Sequence, residues 1–174
     1  LKEFGNWDGE PKFNGWRGML HLPTRSFFNR HGALMSVGDQ FDEAVDQLDD
    51  ARFDNEWFDI ETLLRRHGIA QHSLVLLDLV VPKVDYLQRR AVMERSVETL
   101  DIDKQPKDHR LYLTPTFPQG DGFEPLWKKL QRMNTKMGVV FYEGLVLKRT
   151  NTAYPFQLLN PSRTFHGWTK HRFA

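Results

Sequence analysis

Residues 72–81 read HSLVLLDLVV, a nearly continuous apolar run that Pro82 ends. Apolar runs of this length, bounded by a proline, are typical of strands that are buried on both faces of a sheet. The run therefore predicts a buried strand over His72–Val81, with Asp78 as the acid inside it.

The segment upstream of this strand predicts an amphipathic helix. Phe41, Val45 and Leu48 follow one another at intervals of four and three residues, and acidic side chains flank them. This spacing places the three apolar side chains on one face of a helix. The pattern predicts a helix over Asp39–Ala51.

The remaining elements follow without a regular alternation of strands and helices. The predicted strands are Lys12–Leu22, Phe27–Val37, Trp57–Leu64, Arg110–Phe117 and Val139–Arg149. The predicted helices are Val84–Leu100, with Leu87, Ala91, Val97 and Leu100 as its apolar positions, and a helix that begins at Pro125, turns Leu126, Leu130 and Met133 inward, and ends before Gly138. This irregular order favours an α+β fold, with mostly antiparallel sheets and flanking helices, over a doubly wound one.

The composition of the chain limits the classes of protein and of active site that are possible. The chain has 174 residues, of which 40% are hydrophobic and 13% aromatic, and this is enough for one domain with a packed core. No apolar run approaches the roughly 20 residues that cross a bilayer, so a soluble protein without a membrane partner is expected. Cysteine is absent, which excludes disulfides, thiolate zinc sites and a cysteine nucleophile.

The net charge of +1 hides an asymmetry along the chain. Residues 39–61 hold ten acids and one base, whereas residues 128–174 hold nine Lys or Arg and one acid, Glu143. A basic C-terminal segment fits a polyanionic partner such as a nucleic acid or the phosphates of a nucleotide. An ordinary solvated surface explains the same charges, so charge alone leaves both interpretations open.

Four short groups carry residue types that can do chemistry. They are KFNGWR at 12–17, the Asp59–Glu61 pair in WFDIETLL, EGLVLKR at 143–149 and WTKHR at 168–172. A neutral lysine is a nucleophile, paired carboxylates bind a divalent cation or a ribose hydroxyl, and an acid in an apolar strand needs a partner. Strand alternation places the Trp, Lys and Arg of WTKHR on one side. Each group, taken alone, also fits an ordinary protein surface.

The order of these groups is more specific than any one of them. The series K-x-N-G-x-R, D-x-E, LLDLV, E-G-L-V-L-K and a final W-x-K-x-R resembles the motifs of the covalent nucleotidyltransferases, which comprise ATP-dependent DNA ligases, RNA ligases and mRNA capping enzymes. The resemblance extends from Glu10 to Arg172. It implies the ligase-type, ATP-grasp-like nucleotidyltransferase fold, with residues 1–174 as one adenylation domain. DNA ligases normally continue into an oligonucleotide-binding barrel, but no part of residues 1–174 is expected to form one.

The resemblance also implies a role for each matching residue. Lys12 corresponds to the lysine that attacks the α-phosphate of ATP, Glu143 to the carboxylate that holds the metal, and Lys170 to a lysine at the α-phosphate. Glu61 matches the ribose ligand and is a second candidate metal ligand, with Glu56 as the alternative at the ribose. The other positions that resemble nucleotide-binding residues are Glu10 at the adenine, Arg17 at the ribose or nick phosphate, Arg30, Leu77 over the base, and Lys148 and Arg172 as cations.

Three positions depart from the pattern of the superfamily. Asn14 stands where an Asp is usual, Leu77 where an aromatic residue usually covers the adenine, and Arg172 where a lysine is usual. An aliphatic side chain can still cover a base, with less π overlap, and arginine keeps the positive charge. None of the three removes the nucleophile, so activity is expected.

The resemblance implies an ATP-dependent polynucleotide ligase that seals nicks in duplex DNA through a lysyl-AMP intermediate. ATP and Mg²⁺ are the expected cofactors, nicked duplex DNA or an RNA-containing nick is the expected partner, and an intracellular monomer (cytoplasm, nucleoid or virus-infected cell) is the expected setting. The ending R…W-x-K-x-R is closer to DNA ligases than to the other members. An RNA ligase, a guanylyl-transferring capping enzyme and a catalytically silent nucleic-acid-binding module remain alternatives.

Overall fold

The computed structural model describes residues 6–64, 68–97, 107–120, 122–156 and 167–174. Nine strands, three α-helices and one short 3-10 helix, Leu22–Thr24, lie in these ranges. The strands are Trp7–Phe13 (β1), Trp16–His21 (β2), Ser26–Asn29 (β3), Trp57–Leu63 (β4), Ser73–Leu79 (β5), Leu111–Leu113 (β6), Phe117–Pro118 (β7), Tyr142–Arg149 (β8) and Trp168–Arg172 (β9). The helices are Asp42–Asp50 (α1), Tyr86–Ser96 (α2) and Glu124–Met137 (α3).

The strands form two sheets, and the expected α+β class is confirmed. One sheet has four strands in the order β7-β1-β8-β9, and the other has five in the order β3-β2-β4-β5-β6. All strand pairs are antiparallel except β5 with β6. The strand predicted from the apolar run is confirmed as β5, whose Leu74, Val75 and Leu76 are fully buried.

Two apolar clusters hold these layers together. The first joins α1 and α2 to one face of the five-stranded sheet, and Leu48, Ile60 and Met93 belong to it. The second joins α3 to the four-stranded sheet and extends to part of the other face of the five-stranded sheet. Leu130 of α3 and Val75 of β5 belong to it. The rest of that face looks toward the four-stranded sheet across a cleft. Among the described residues, no helix is long and apolar enough to cross a membrane.

The predicted single strand over 12–22 is wrong, because the chain changes sheets at Asn14 and Gly15. The Asn14 amide donates a hydrogen bond to the Val140 carbonyl at 2.8 Å and so fixes the turn. A Cβ at Gly15 would lie 2.6 Å from the Thr62 carbonyl oxygen, so this position tolerates only glycine. The predicted strand over 110–117 is divided in the same way, into β6 and β7 on different sheets. Both divisions follow from contacts distant in sequence.

The predicted strand over 27–37 is also wrong, since β3 ends at Asn29. The Asn29 side-chain oxygen accepts hydrogen bonds from the backbone N–H groups of His31 and Ala33, at 2.8 and 3.1 Å. Gly32 follows with a φ of +77°, which favours glycine. An asparagine side chain that holds the backbone in this way produces a turn rather than a continued strand.

All three helices lie where the sequence predicts them, but the side chains that α2 buries are not the predicted ones. In α1 and α3 the predicted apolar residues Val45, Leu48, Leu126 and Leu130 are buried. In α2 the predicted Leu87 is 52% exposed and Ala91 is exposed, whereas two arginines are buried in their place. The two buried arginines are Arg89 and Arg90. Leu100, which was also predicted to be an apolar position of this helix, lies outside the described residues.

Candidate active site

The cleft between the two sheets contains a cavity of about 490 Å³. Its walls come from β1, β2, β4, β5, β8 and β9 and from the turn after β3. All ten residues named from the sequence line it, although they are spread over more than 160 positions: Glu10, Lys12, Arg17, Arg30, Glu61, Leu77, Glu143, Lys148, Lys170 and Arg172. Glu56, the alternative to Glu61, is not among the residues that line it.

Lys12 and Glu143 form the central contact of the cavity. The Lys12 ammonium donates a hydrogen bond to the Glu143 carboxylate, and Arg172 Nε lies 3.6 Å from the same carboxylate oxygen. The Lys12 side chain is 16% exposed and that of Glu143 is 25% exposed, so both are accessible from the cavity. The pair presents an amine and a carboxylate side by side to a bound ligand.

A β-bulge aims Glu143 at Lys12. Tyr142 lies opposite Phe13 and Gly144 lies opposite Lys12, so Glu143 is the extra residue of β8. By strand alternation alone Glu143 would share a face with Leu145, which packs into the cluster beneath α3. The bulge turns its side chain into the cavity instead, a common use of bulges at binding sites.

Gly144 is required by this bulge, and alanine there is expected to disrupt the site. Its φ is +148°, and an added Cβ would lie 1.9 Å from the His171 carbonyl oxygen of β9. We expect Gly144→Ala to push β9 outward, to lower the melting temperature and to lower any nucleotide affinity at least about tenfold, which corresponds to about 1.4 kcal/mol. Thermal denaturation and a binding titration with ATP measure both effects.

Gly138→Ala is the matched control for this substitution. Gly138 ends α3 with a φ of +69°, and a Cβ there would have no neighbour within 4 Å. Both variants therefore carry backbone strain, but only the one at Gly144 carries the overlap with β9. Equal losses in the two variants would show that the close approach of β9 does not matter.

Glu61 lies on the opposite wall and is 7% exposed. Its carboxylate accepts a hydrogen bond from the Gly15 N–H at 2.9 Å, beside the turn that follows Lys12. Burial raises the pKa of Glu61 to about 7, against the lowering effect of Lys12, of the Gly15 hydrogen bond and of Arg17. The carboxyl group is therefore divided between its two protonation states at neutral pH.

The raised pKa of Glu61 predicts a pH dependence of stability in buffer without divalent cations. The unfolded chain releases this proton near pH 4.5 and the folded chain near pH 7, so between these values the folded state binds more protons. The contribution of Glu61 to the free energy of unfolding is therefore expected to fall, by about 3 kcal/mol, as the pH rises through this window. Urea denaturation of wild type and Glu61→Gln at pH 4.5, 6 and 8 measures it. Parallel pH profiles of the two proteins would contradict this interpretation.

Lys148 lies at the floor of the cavity and is 1% exposed. Its ammonium lies 2.8 Å from the Leu77 carbonyl oxygen, 3.0 Å from the Glu10 carboxylate and 3.3 Å from the Asp78 carboxylate. Three acceptors occupy all three N–H groups of a lysine. These contacts hold the cavity floor in place, and the role of Lys148 as a cation at the nucleotide stays a prediction.

The floor is a network of buried charges that the sequence did not indicate in full. Asp78 and Arg89 form a two-point ion pair, at 2.7 and 3.1 Å, in which both side chains are inaccessible to solvent. Glu10 is 2% exposed and accepts a hydrogen bond from the Tyr86 hydroxyl at 2.6 Å. Burial raises the pKa of Glu10, against the lowering effects of Lys148 and of the hydrogen bond. The motifs had pointed to Glu10 and Lys148, and the apolar run to Asp78, but no sequence pattern pointed to Tyr86 or Arg89.

Arg17 forms one side wall of the cavity. It donates two hydrogen bonds to the Asp59 carboxylate, at 2.9 and 2.5 Å, and Asp59 is fully buried. Burial alone would raise the pKa of Asp59, but the Arg17 guanidinium outweighs it and holds this pKa below its usual value. Tyr154 donates a third hydrogen bond to Asp59 at 3.0 Å, and no sequence pattern pointed to this tyrosine.

The mouth of the cavity is positively charged. Lys170 and Arg172 extend from β9, and Arg30 extends from the turn after β3; all three are exposed. Partial desolvation lowers the pKa of Lys170, and the nearby Arg17 and Lys12 lower it further. Trp168 also lines the cavity, with the Arg17 guanidinium 5.2 Å from its ring centroid. Such a concentration of cations around a concave surface attracts an anion.

The carboxylates of this cavity fit a hard divalent cation that a nucleotide brings with it. Among the described residues, no group of three or more His, Asp or Glu side chains could hold a metal ion by itself. Mg²⁺ is typically held by one or two carboxylates together with substrate phosphates. Glu143, with Glu61 across the cavity, fits this requirement.

Comparisons with known proteins bear on the fold. Neither a protein-family model nor a curated protein matches the sequence. Solved structures do match: the ligase domain of M. tuberculosis LigD (18% identity, TM-score 0.60, 96% of this chain and 53% of that one), mycobacterial DNA ligase D complexed with ATP and MES (18%, 0.56, 94% and 53%), and Lig E DNA ligase, described as binding DNA with a minimal scaffold (12%, 0.55, 87% and 58%). This chain spans little more than half the length of each. The likeness shows that its two sheets and flanking helices have the fold of the catalytic domain of ATP-dependent DNA ligases.

Proposed function

We propose that this chain is the adenylation domain of an ATP-dependent polynucleotide ligase and that Lys12 is its nucleophile. The observation that carries the proposal is the contact between Lys12 and Glu143 inside a cation-rich cavity that all ten motif residues line. The match to a mycobacterial DNA ligase complexed with ATP supports ATP as the nucleotide, and the match to Lig E supports DNA as the partner.

The first step is attack by the neutral Lys12 amine on the α-phosphorus of ATP. A nitrogen–phosphorus bond forms, the bond from the α-phosphorus to the bridging oxygen breaks, and pyrophosphate leaves. The amine loses a proton in this step, and the Glu143 carboxylate is the group in contact with it. Arg17, Lys170 and Arg172 neutralise the charge on the phosphates, which is where most of the catalysis of such a transfer lies.

The remaining steps use the same cavity. The AMP passes from Lys12 to the 5′-phosphate of a nicked strand, forming a pyrophosphate bond. The 3′-hydroxyl of the adjoining strand then attacks that 5′-phosphate, and AMP leaves. Mg²⁺, held by Glu143 and Glu61, supplies charge neutralisation at the phosphates when it is bound.

In this proposal the adenosine of ATP binds in the inner part of the cavity. Leu77 and Val146 offer an apolar surface to the base, and Trp168 closes one side. The buried Glu10 lies at the inner end, where its two oxygens are held by Tyr86 and Lys148. Glu61, on the wall beside Gly15, is positioned to accept a hydrogen bond from a ribose hydroxyl.

Intact-mass spectrometry of the purified chain tests the proposal. Incubation with ATP and Mg²⁺ should add one AMP, whereas GTP should add nothing. A GMP adduct would point to a capping activity, and the absence of any adduct would point to a silent binding module. Sealing of a nicked DNA duplex, compared with an RNA-containing nick, then separates a DNA ligase from an RNA ligase.

Two variants test the assigned roles around the phosphates. We expect Glu143→Ala and Lys170→Ala each to lower the rate of adenylation about 10²- to 10³-fold, which is typical for the loss of one positioned charge. Glu43→Ala on α1 and Lys136→Ala on α3, both exposed, are the matched controls. Near-normal adenylation by both site variants, with an unchanged circular dichroism spectrum, would contradict the assignment.

A further inference from the structure

A second cavity of about 460 Å³ lies on the far side of the Arg17–Asp59 pair from Lys12. Its size is within the usual range for small-molecule sites. Its walls are mostly apolar and aromatic, with Phe28, Trp57, Val80, Tyr154, Pro155 and Phe156 among them. Neither Lys12 nor Glu143 lines it, so the groups that would react in adenylation lie outside this cavity.

The two cavities share one cationic wall. Arg17, Asn29 and Arg30 line both. Arg17 uses two of the five N–H donors of its guanidinium to bind Asp59, so three donors remain for a ligand. A phosphate group at this wall would therefore meet cations while it faces the nucleotide cavity, and the rest of the same ligand would lie in the second cavity.

The aromatic side chains of the second cavity suit a nucleobase. Trp57 is 36% exposed and Phe156 is 42% exposed, so both offer ring surface to a ligand. Aromatic rings beside a cationic groove bind single-stranded nucleic acid, because every base has a face that can stack. A ligand that fits this cavity has a flat base to stack on the aromatic rings and a phosphate to bind the cationic wall. A nucleoside 5′-phosphate has both groups.

We propose that the second cavity binds the 5′-terminal nucleoside of the acceptor strand, with its 5′-phosphate against Arg17 and Arg30. This inference rests on the proposed function, because it places the group that receives AMP next to Lys12. A terminal base that enters the cavity has left the base stack. Unstacking costs least where the base is already unpaired, so the cavity favours ends whose terminal base pair is open.

The test measures AMP transfer from pre-adenylated protein to a 5′-phosphorylated oligonucleotide whose terminal base is unpaired. We expect Trp57→Ala and Phe156→Ala each to lower the transfer rate about tenfold or more, while self-adenylation stays at the wild-type rate. Trp57→Phe should restore most of the transfer. Leu87→Ala, an exposed residue that lines neither cavity, is the control.

An abasic 5′-terminal nucleotide gives a second, independent readout. It should lower transfer by the wild type to the level of the two alanine variants and should lower transfer by the variants no further. Equal sensitivity of wild type and variants to the abasic end would overturn the inference. If wild type forms no lysyl-AMP at all, the proposed function fails instead.

Discussion

Lys12→Ala is expected to abolish covalent adenylation, so that intact mass shows no gain after incubation with ATP and Mg²⁺. Lys12 is the only lysine whose ammonium contacts Glu143 among the contacts of the described residues. The neighbouring Lys148 is buried with its three N–H groups occupied, so it cannot act as a substitute nucleophile. Peptide mapping of the wild-type adduct should place AMP on Lys12.

Lys12→Arg sharpens this experiment. Arginine keeps the positive charge and the contact with Glu143, but a guanidinium is not deprotonated in proteins and so provides no nucleophile. We expect this variant to keep its thermal stability and its affinity for ATP while it forms no adduct. Lys136→Ala, on the exposed face of α3, should be adenylated normally. An adduct that persists in either Lys12 variant would remove Lys12 from the mechanism.

Arg89→Met is expected to lower the free energy of unfolding by about 3–5 kcal/mol. The floor network holds two acids, Glu10 and Asp78, and two cations, Lys148 and Arg89, all buried. Removal of one cation leaves an uncompensated negative charge, and it also removes the bond from Arg89 to the Thr152 carbonyl, 3.1 Å away. For a domain of this size the melting temperature should fall by roughly 10 °C.

A double variant separates lost pairing from lost packing. Asp78→Leu combined with Arg89→Met removes the ion pair as a whole and leaves Lys148 paired with Glu10, and apolar replacements of complete buried pairs are often neutral. We expect the double variant to recover most of the stability in urea denaturation. Arg95→Met, at the exposed end of α2, is the control. A double variant less stable than Arg89→Met would show that the charges themselves stabilise the fold.

Elements with a strong local pattern could be predicted from the sequence. The apolar run of β5, the four-and-three spacing of α1 and the Pro125-to-Gly138 limits of α3 are all properties of short segments. The division of residues 12–22 could not be predicted, because the Asn14 side chain is held by a carbonyl 126 positions away. Local patterns contain no information about such a partner.

The residues of the candidate site likewise include some that the sequence predicted and some that it did not. The ten cavity residues were found through the order of motifs, which is a property of the whole chain. The buried face of α2 was missed, because Arg89 is buried only by virtue of Asp78 on a neighbouring strand. The contacts of Lys148 were missed for the same reason, since nothing in EGLVLKR shows that Leu77, Glu10 and Asp78 surround its ammonium.

The four-stranded sheet has a consequence for synthesis of the chain on the ribosome. Strands β2 to β6 lie within residues 16–113 and can pair as soon as they emerge, but β1 pairs with β8 and β7. Lys12 leaves the ribosome 131 residues ahead of Glu143, a delay of roughly 10 s at ordinary elongation rates. Until β7 and β8 emerge, β1 has none of its own strand partners and is open to association with other nascent chains. The nucleophile acquires its carboxylate only when the last strands are made, so a truncated translation product carries Lys12 without the site.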